Sequence, residues 1–271
     1  MKKMIPLIVL KIGGAVFTDR NSDRPKLDRE NLNRIAHEVG TGYDPERFRL
    51  LFVHGAGSFG HPIVSKTGIH KGIQELHQRI AFAETQRLQN CLNILVARAL
   101  IGAGVPAIPL QPSATAVTAG GKLERLDLEV AEGLLELNMV PILYGVPAFD
   151  RQQGCSILSG DRIASYVAVR LGASRILHGT NVKGVFSDDP NRNPSAQFIR
   201  LIDERNRDSL EQWLKSSCSV DVTGGMYNKV KELLETRIPS QIFDATTPGN
   251  VESVLNGMTV GTLVAPMQSL I

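Results

Sequence analysis

Most of the residues able to do chemistry in this chain lie in four glycine-rich turns. The longest is Val53-His54-Gly55-Ala56-Gly57-Ser58-Phe59-Gly60-His61, directly after an apolar run. Glycines let backbone N–H groups approach and turn toward a phosphate, and a helix that starts beyond such a turn adds partial positive charge. In an open α/β sheet the carboxyl end of a strand is where ligands bind. A second turn, Lys11-Ile12-Gly13-Gly14-Ala15, closes another apolar run with a lysine. Buried lysine is costly unless it meets an anion, so this one either snorkels to the surface or binds a charged ligand. The third, Asp221-Val222-Thr223-Gly224-Gly225-Met226-Tyr227-Asn228-Lys229, opens a helix and places Lys229 one turn later. The fourth is Leu158-Ser159-Gly160-Asp161, where Asp161 by itself reads more readily as a helix N-cap than as a catalytic acid.

Three phosphate-binding arrangements compete for the long turn. Gly55, Gly57 and Gly60 match the dinucleotide fingerprint, which also requires an acidic residue about 20 positions on at a second strand's end. Glu75 is the nearest candidate and falls in a helical stretch. The spacing also suits a P-loop, but His61-Pro62 stands where Lys-Ser/Thr is required. The third arrangement is a glycine-rich turn from a different kinase architecture. No carboxylate pair stands out as general acid and base, and none of the six histidines has the spacing of a familiar metal site. His61 ends a glycine turn where an anion should lie, which favours a binding role.

The elements that must carry these turns follow from periodicity. Short runs rich in Val, Ile and Leu occur at Leu7 to Ile12, Leu50 to Val53, Val105 to Leu110, Val140 to Leu143, Ile176 to Leu177, Gln241 to Phe243 and Thr262 to Ala265. Such runs suit parallel strands covered on both faces. Helical spacing appears between them, from Arg29 to about Val39 behind an Asp28 cap, and from about Ile73 to Leu100. It appears again at Leu126 to Leu137, Asp161 to Leu171, Asp208 to Lys215 and Met226 to Thr236. The fold class is therefore α/β with a mostly parallel central sheet. Thr18 to Lys26 is polar and turn-rich and reads as an exposed hairpin or lid, and Ser187 to Ala196 reads as a second polar loop.

Composition narrows the function classes. The chain has 271 residues, 42% of them hydrophobic and 21% charged, which excludes wholesale disorder. A net charge of +3 gives no bulk argument for a nucleic-acid partner, and no apolar stretch approaches a membrane span. Met1 to Leu10 superficially resembles a signal peptide, but Lys11 ends its apolar run early, and a buried strand fits better. Cys91, Cys155 and Cys218 are odd in number and far apart, which suits a reducing, cytoplasmic compartment.

Together the motifs resemble the amino acid kinase superfamily, and within it the isopentenyl phosphate kinases. The resemblance rests on Lys11-x-Gly13-Gly14, His-Gly-x-Gly-Ser-Phe-Gly-His ending in His61, Ser159-Gly160-Asp161 and Thr223-Gly224-Gly225-Met226-x-x-Lys229, in that order along nearly the whole chain. It implies an open αβα sandwich forming a single domain over residues 1–271, with an N-terminal part for the phosphate acceptor and a C-terminal part for the nucleotide. It further implies a homodimer, ATP with Mg²⁺, and transfer of the γ-phosphoryl group to isopentenyl phosphate. Lys11, Arg20, His61 and Lys229 would then be catalytic. Ala56, Gly60, His61 and Gly160 would face the acceptor. Lys11, Gly13, Gly14, Ala15, Gly57, Thr180, Asn181, Gly225 and Lys229 would line the nucleotide path, with Asp161 as an organising residue. The chain departs from the family pattern at Arg20, where a lid lysine is usual, at Ala56, at Arg162, and at Asn181 and Lys183. Other functions that share part of this pattern are a fosfomycin kinase, a non-catalytic nucleotide- or anion-binding homologue and a dinucleotide-binding oxidoreductase. The last leaves Lys11 and the Thr223–Lys229 block without a role. Ile73, Leu76, Ile80, Ala81, Phe82 and Ala83 offer an apolar stripe after His61, which by itself reads as core.

Overall fold

The computed structural model describes residues 5–19, 21–188, 193–206, 209–210 and 225–265. Strand β1 (Leu7–Ile12) is the centre of the molecule, because all of its residues are buried. It pairs in parallel with β2 (Arg49–His54) on one side and β9 (Arg175–Thr180) on the other. β6 (Val140–Tyr144) and β3 (Ala107–Pro109) extend the sheet beyond β2, and β13 (Ser240–Asp244) extends it beyond β9, all in parallel. β14 (Thr262–Val264) adds antiparallel to β13, and β12 (Leu201–Ile202) runs parallel to β14 at the edge. The eight strands lie in the order β12-β14-β13-β9-β1-β2-β6-β3.

Side-chain alternation assigns the two faces. Ile8, Leu10 and Ile12 pack with Leu32, Ile35 and Val39 of helix α2 (Arg29–Gly42). Leu92, Val96 and Leu100 of α4 (Leu76–Gly102) and Val251 and Val254 of α8 (Asn250–Leu255) share that cluster. Leu7 and Val9 point the other way, into a cluster with Ala131 and Leu135 of α5 (Glu129–Glu136). Ile163 and Val167 of α6 (Gly160–Arg170) and Val230 and Leu233 of α7 (Gly225–Thr236) complete it. A helix layer thus covers each face of the sheet, the αβα sandwich that the resemblance implies. Asp28 caps α2 as its sequence position predicts, accepting from the Asn31 N–H at 3.0 Å.

Three boundaries, one strand direction and one whole sheet add to or differ from expectation. The helix expected from Leu126 begins at Glu129, because Leu126 is the last residue of β5 (Lys122–Leu126). The strand expected over Val105 to Leu110 is confined to three residues. The helix expected from Ile73 begins at Leu76, where Glu75 and Gln78 form a capping box. That assigns Glu75 to helix capping and removes it as a ribose-binding acid. The strand at Thr262 runs antiparallel to its neighbour. β4 (Ala116–Ala119), β5, β7 (Val146–Asp150) and β8 (Gly154–Leu158) form a separate four-stranded sheet in the order β5-β4-β7-β8. Two further strands, β10 (Val185–Phe186) and β11 (Phe198–Ile199), form a small antiparallel hairpin. The expected helix at Asp208 to Lys215 lies almost entirely outside the described residues.

Candidate active site

Parity along β1 sends Lys11 to the same face as Leu7 and Val9, where α6 and α7 lie. The lysine does not snorkel: it is 6% exposed, and its Nζ lies 2.6 Å from Asp161 Oδ1. Lys229, on the first turns of α7, reaches the other oxygen of the same carboxylate, with Nζ 2.6 Å from Asp161 Oδ2. Asp161 is not the cap of its helix. Ser159 holds that position, its hydroxyl accepting from the Arg162 N–H at 3.1 Å. Asp161 is thereby free to bridge two ammonium groups. Burial alone would raise its pKa, but the ammonium groups of Lys11 and Lys229 hold it well below the usual carboxylate range. Burial acts on Lys11 in the opposite sense. It lowers the pKa to about 8, helped by Lys229 and opposed by Asp161.

A fourth side chain completes the cluster. His178 on β9 is the register partner of Lys11, and its Nε2 lies 3.0 Å from Lys11 Nζ and 2.9 Å from Lys229 Nζ. Burial, then the two lysines, push its pKa down to about 3, against the pull of Asp161. The ring is therefore neutral at physiological pH. Two ammonium groups, one carboxylate and a neutral imidazole leave one net positive charge, an arrangement suited to an anion. A lone histidine in an apolar strand gives no sequence signal of this. The signal is the pairing of β9 with β1, which only the fold reveals.

The glycine turns meet beside this cluster. A Cβ on Gly13 would stand 3.8 Å from Lys11 Nζ, so the turn passes directly by the ammonium. A Cβ on Gly14 would lie 2.2 Å from the Gly57 nitrogen, and one on Gly55 would lie 2.5 Å from the Gly14 nitrogen. Two turns from adjacent strands therefore pack backbone against backbone. Gly57 has φ +50°, a left-handed conformation that favours glycine. Thr18 ties the same two turns, donating to the Gly14 carbonyl at 2.8 Å while accepting from the Ser58 N–H at 3.1 Å. Ala15 sits in the short helical turn Gly14–Phe17. Gly160 belongs to the same convergence, because its Cβ would stand 3.0 Å from the His54 carbonyl oxygen.

On the far side of the long turn, His61 is exposed and begins the helix α3 (His61–Thr67), with Pro62 next. Gly60 lies against Ala56 and against Gln89 of α4. Beyond them Val64, Ile69, Ala81 and Cys155 form a separate buried apolar cluster, with Ile63, Ile73, Phe82 and Ile157 partly buried against it. The expected apolar stripe thus divides. Ile73, Ala81 and Phe82 join this cluster, whereas Leu76 and Ile80 are 70% and 65% exposed. His54, the first histidine of the turn, faces away toward α4, 3.0 Å from the Gly55 carbonyl and 3.2 Å from Asn93 Oδ1.

Thr180 ends β9 and its hydroxyl accepts from the Val182 N–H at 2.9 Å, while Asn181 is exposed. Arg162 pairs with Glu232 at 3.0 Å, so its charge is balanced within the protein. Lys183 stands over the Phe198 ring at 5.3 Å. Gly225 starts α7 with φ +64°. Arg20, Thr223 and Gly224 lie outside the described residues. The Thr18 to Lys26 segment reads as a hairpin at its base, where Thr18 bridges Leu27 and Lys26 pairs with Asp19. Among the described residues no group of three or more His, Cys, Asp or Glu is placed to hold a metal ion, and no helix is long and apolar enough to cross a membrane.

Comparison with known proteins identifies the family. The sequence profile of the amino acid kinase family matches residues 6–243. The chain is 38% identical to the isopentenyl phosphate kinase of Methanothermobacter thermautotrophicus, over 94% of this chain and 97% of that protein. It is 32% identical to the isopentenyl phosphate kinase of Methanocaldococcus jannaschii over the same shares. A solved isopentenyl phosphate kinase structure superposes with a TM-score of 0.83 at 35% identity, covering 96% of this chain and all of that one. The chain belongs to the amino acid kinase family, in the branch of the isopentenyl phosphate kinases.

Proposed function

We propose that this chain transfers the γ-phosphoryl group of ATP to isopentenyl phosphate, giving isopentenyl diphosphate and ADP. The observation that carries this reading is the placement of a cationic phosphate site and an apolar cluster on opposite sides of one glycine turn. Lys11 and Lys229, bridged by Asp161, supply the cations for the ATP phosphates. His61 stands at the head of α3, and Ile63 and Val64 on the same helix enter the apolar cluster. A monophosphate with a short hydrocarbon tail needs a donor for its phosphate beside an apolar lining for its tail.

The chemistry asks little else of the protein. A phosphate monoester loses its second proton near pH ~6, so its oxygen is already a nucleophile at neutral pH. That oxygen attacks the γ-phosphorus, the bond to the β–γ bridging oxygen breaks, and ADP leaves with the electron pair. No general base is required. Cations and hydrogen-bond donors must hold two anionic groups together and stabilise the spreading charge. Lys11, Lys229 and the N–H groups of Gly13, Gly14, Ala15, Gly57 and Gly225 serve the nucleotide. Ala56, Gly60, His61 and Gly160 serve the acceptor. Thr180 and Asn181 would border the nucleotide, and Arg20 would take the part of the family's lid lysine in stabilising the transferring group. Mg²⁺ accompanies ATP and neutralises part of the triphosphate charge.

The protein works in this reading as a cytoplasmic homodimer. Free Cys91 and Cys155 suit a reducing compartment, and the exposed Leu76, Ile80, Ile94 and Ile101 on α4 give a second copy an apolar face to cover. Mass spectrometry after incubation with Mg-ATP and isopentenyl phosphate, dimethylallyl phosphate or fosfomycin tests the acceptor. Diphosphate from the isoprenoid acceptors is expected, and product from fosfomycin alone overturns the reading. His61→Ala should lower the rate roughly 10²–10³-fold, as for loss of a transition-state donor. An unchanged rate would remove His61 from the acceptor site.

A further inference from the structure

The ion-pair cluster contains an acceptor that the reading above does not use. His178 and Lys11 are register partners on adjacent parallel strands, so their side chains leave the same face of the sheet together. An ammonium group only donates hydrogen bonds. Both ammonium groups approach Nε2, so Nε2 carries the lone pair and the ring proton sits on Nδ1. The 3.2 Å separation of Nε2 from Asp161 Oδ1 is then a contact between two acceptors, drawn together by the cations they share. The charged groups facing the ring are Lys11 from β1, Asp161 from α6 and Lys229 from α7, while β13 offers the apolar Ile242 in register. Glu232, one turn beyond Lys229, is engaged with Arg162.

Each ammonium carries three N–H groups. Lys11 directs one to Asp161 Oδ1 and one to His178, and Lys229 directs one to Asp161 Oδ2 and one to His178. At a tetrahedral nitrogen, two fixed N–H directions determine the third. We propose that His178 is a positioning residue for the phosphoryl transfer, its Nε2 lone pair holding Lys11 and Lys229 so that each presents its remaining N–H to the ATP phosphates. A neutral acceptor suits this task better than the alternatives. A carboxylate at the same place would cancel the positive charge that the anion needs, and an aliphatic side chain would leave two buried N–H groups unpaired. The proposal rests on the nucleotide half of the function proposed above and is independent of the acceptor's identity.

The test compares the full-length protein with its His178→Leu and His178→Gln variants. Mg-ATP binding is measured by calorimetry between pH 6.5 and 9.5, kcat and KM with isopentenyl phosphate, and Tm alongside. His178→Leu should weaken Mg-ATP binding roughly 10- to 100-fold, the loss expected for a hydrogen bond to a charged group. It should also move the alkaline decline of binding to lower pH, because the lysine loses an acceptor that favours its charged form. His178→Gln, whose amide oxygen is again a neutral acceptor, should restore most of both. Wild-type binding and an unmoved alkaline decline in His178→Leu would overturn the proposal, as would equal losses in the two variants. If the leucine variant does not fold, the glutamine variant decides: retained binding supports the role and lost binding overturns it. Wild-type protein that binds Mg-ATP but phosphorylates no acceptor would overturn the acceptor assignment alone.

Discussion

Asp150 ends β7 with its carboxylate enclosed by neutral donors, whereas Asp161 opens α6 with its carboxylate between two cations. The N–H groups of Gly120, Gln152 and Gln153 donate to Asp150 Oδ1, and the Gly121 N–H and the Thr118 hydroxyl donate to Oδ2, at 2.8 to 3.1 Å. Asp161 takes Lys11 and Lys229 at 2.6 Å each. In both, burial would raise the pKa and the partners overturn it, so both remain charged. The partners separate the two roles. Four of the five donors to Asp150 are backbone groups fixed by the turns they belong to, and none can be offered to a ligand. The donors to Asp161 sit on long side chains that keep N–H groups to spare. A depressed carboxylate pKa therefore marks a ligand site only where its cause can be shared with a ligand.

The sharpest way to break this comparison is to neutralise each acid in turn. Asp161→Asn leaves two ammonium groups without their shared counter-charge and should lower kcat roughly 10²–10³-fold. Because the site then carries one more net positive charge, ATP should raise the Tm of this variant more than that of the wild type. Near-normal kcat would show that Asp161 is as structural as Asp150. Asp150→Asn should act on stability instead. Its amide turns an NH₂ toward backbone donors, at a cost of about 3 kcal/mol, or a Tm loss of roughly 6–12 °C. Its kcat, measured well below Tm, should be unchanged, and a kcat loss without a Tm loss would erase the distinction. The smallest effect is one of pH. With Lys11 lowered to about 8, kcat/KM for ATP should decline above that pH as the ammonium is lost. Asp161→Asn should bring the decline to lower pH, and Asp150→Asn should not move it. The same shift bears on stability with a definite sign. The unfolded lysine holds its proton up to 10.5, so between about 8 and 10.5 the unfolded chain binds more protons and the folded state gains stability as pH rises.

Much of this site was legible from residue type and local spacing. Lys11 next to Gly13-Gly14, the long glycine turn and Lys229 after Gly225 announced a phosphate site, because each pairs a cation or a flexible backbone with the end of an apolar run. Apolar runs and helical spacing located the sheet and both helix layers. His178 was not legible, because its role depends on which strand β9 lies beside, and register between distant strands is absent from local pattern. Asp161 reads toward capping because Ser159 and Asp161 are both favoured cap residues, and local pattern does not say which of the two takes the position. The four-stranded sheet had a signal that periodicity obscured. Gly120-Gly121 joins β4 to β5 with φ of +55° and +77°, the primed-turn chemistry of a tight hairpin. The apolar residues from Leu126 onward looked helical, and a helix does begin three residues later.

The contact between the Gly14 and Gly57 turns limits how this protein can be altered. Their backbones already touch, so every one of the nineteen alternatives at Gly14, Gly55 or Gly57 would drive a side chain into another peptide group. Random mutagenesis of these turns should return glycine almost alone. The adaptable part of the molecule lies across α3, where Ile73, Phe82 and Ile157 sit half-buried around Val64, Ile69, Ala81 and Cys155 and can change volume without disturbing a turn. In the function proposed above, the end that would handle phosphate is thus fixed by main-chain geometry and the apolar end by side-chain size, so variation in substrate range has room to accumulate in only one of them.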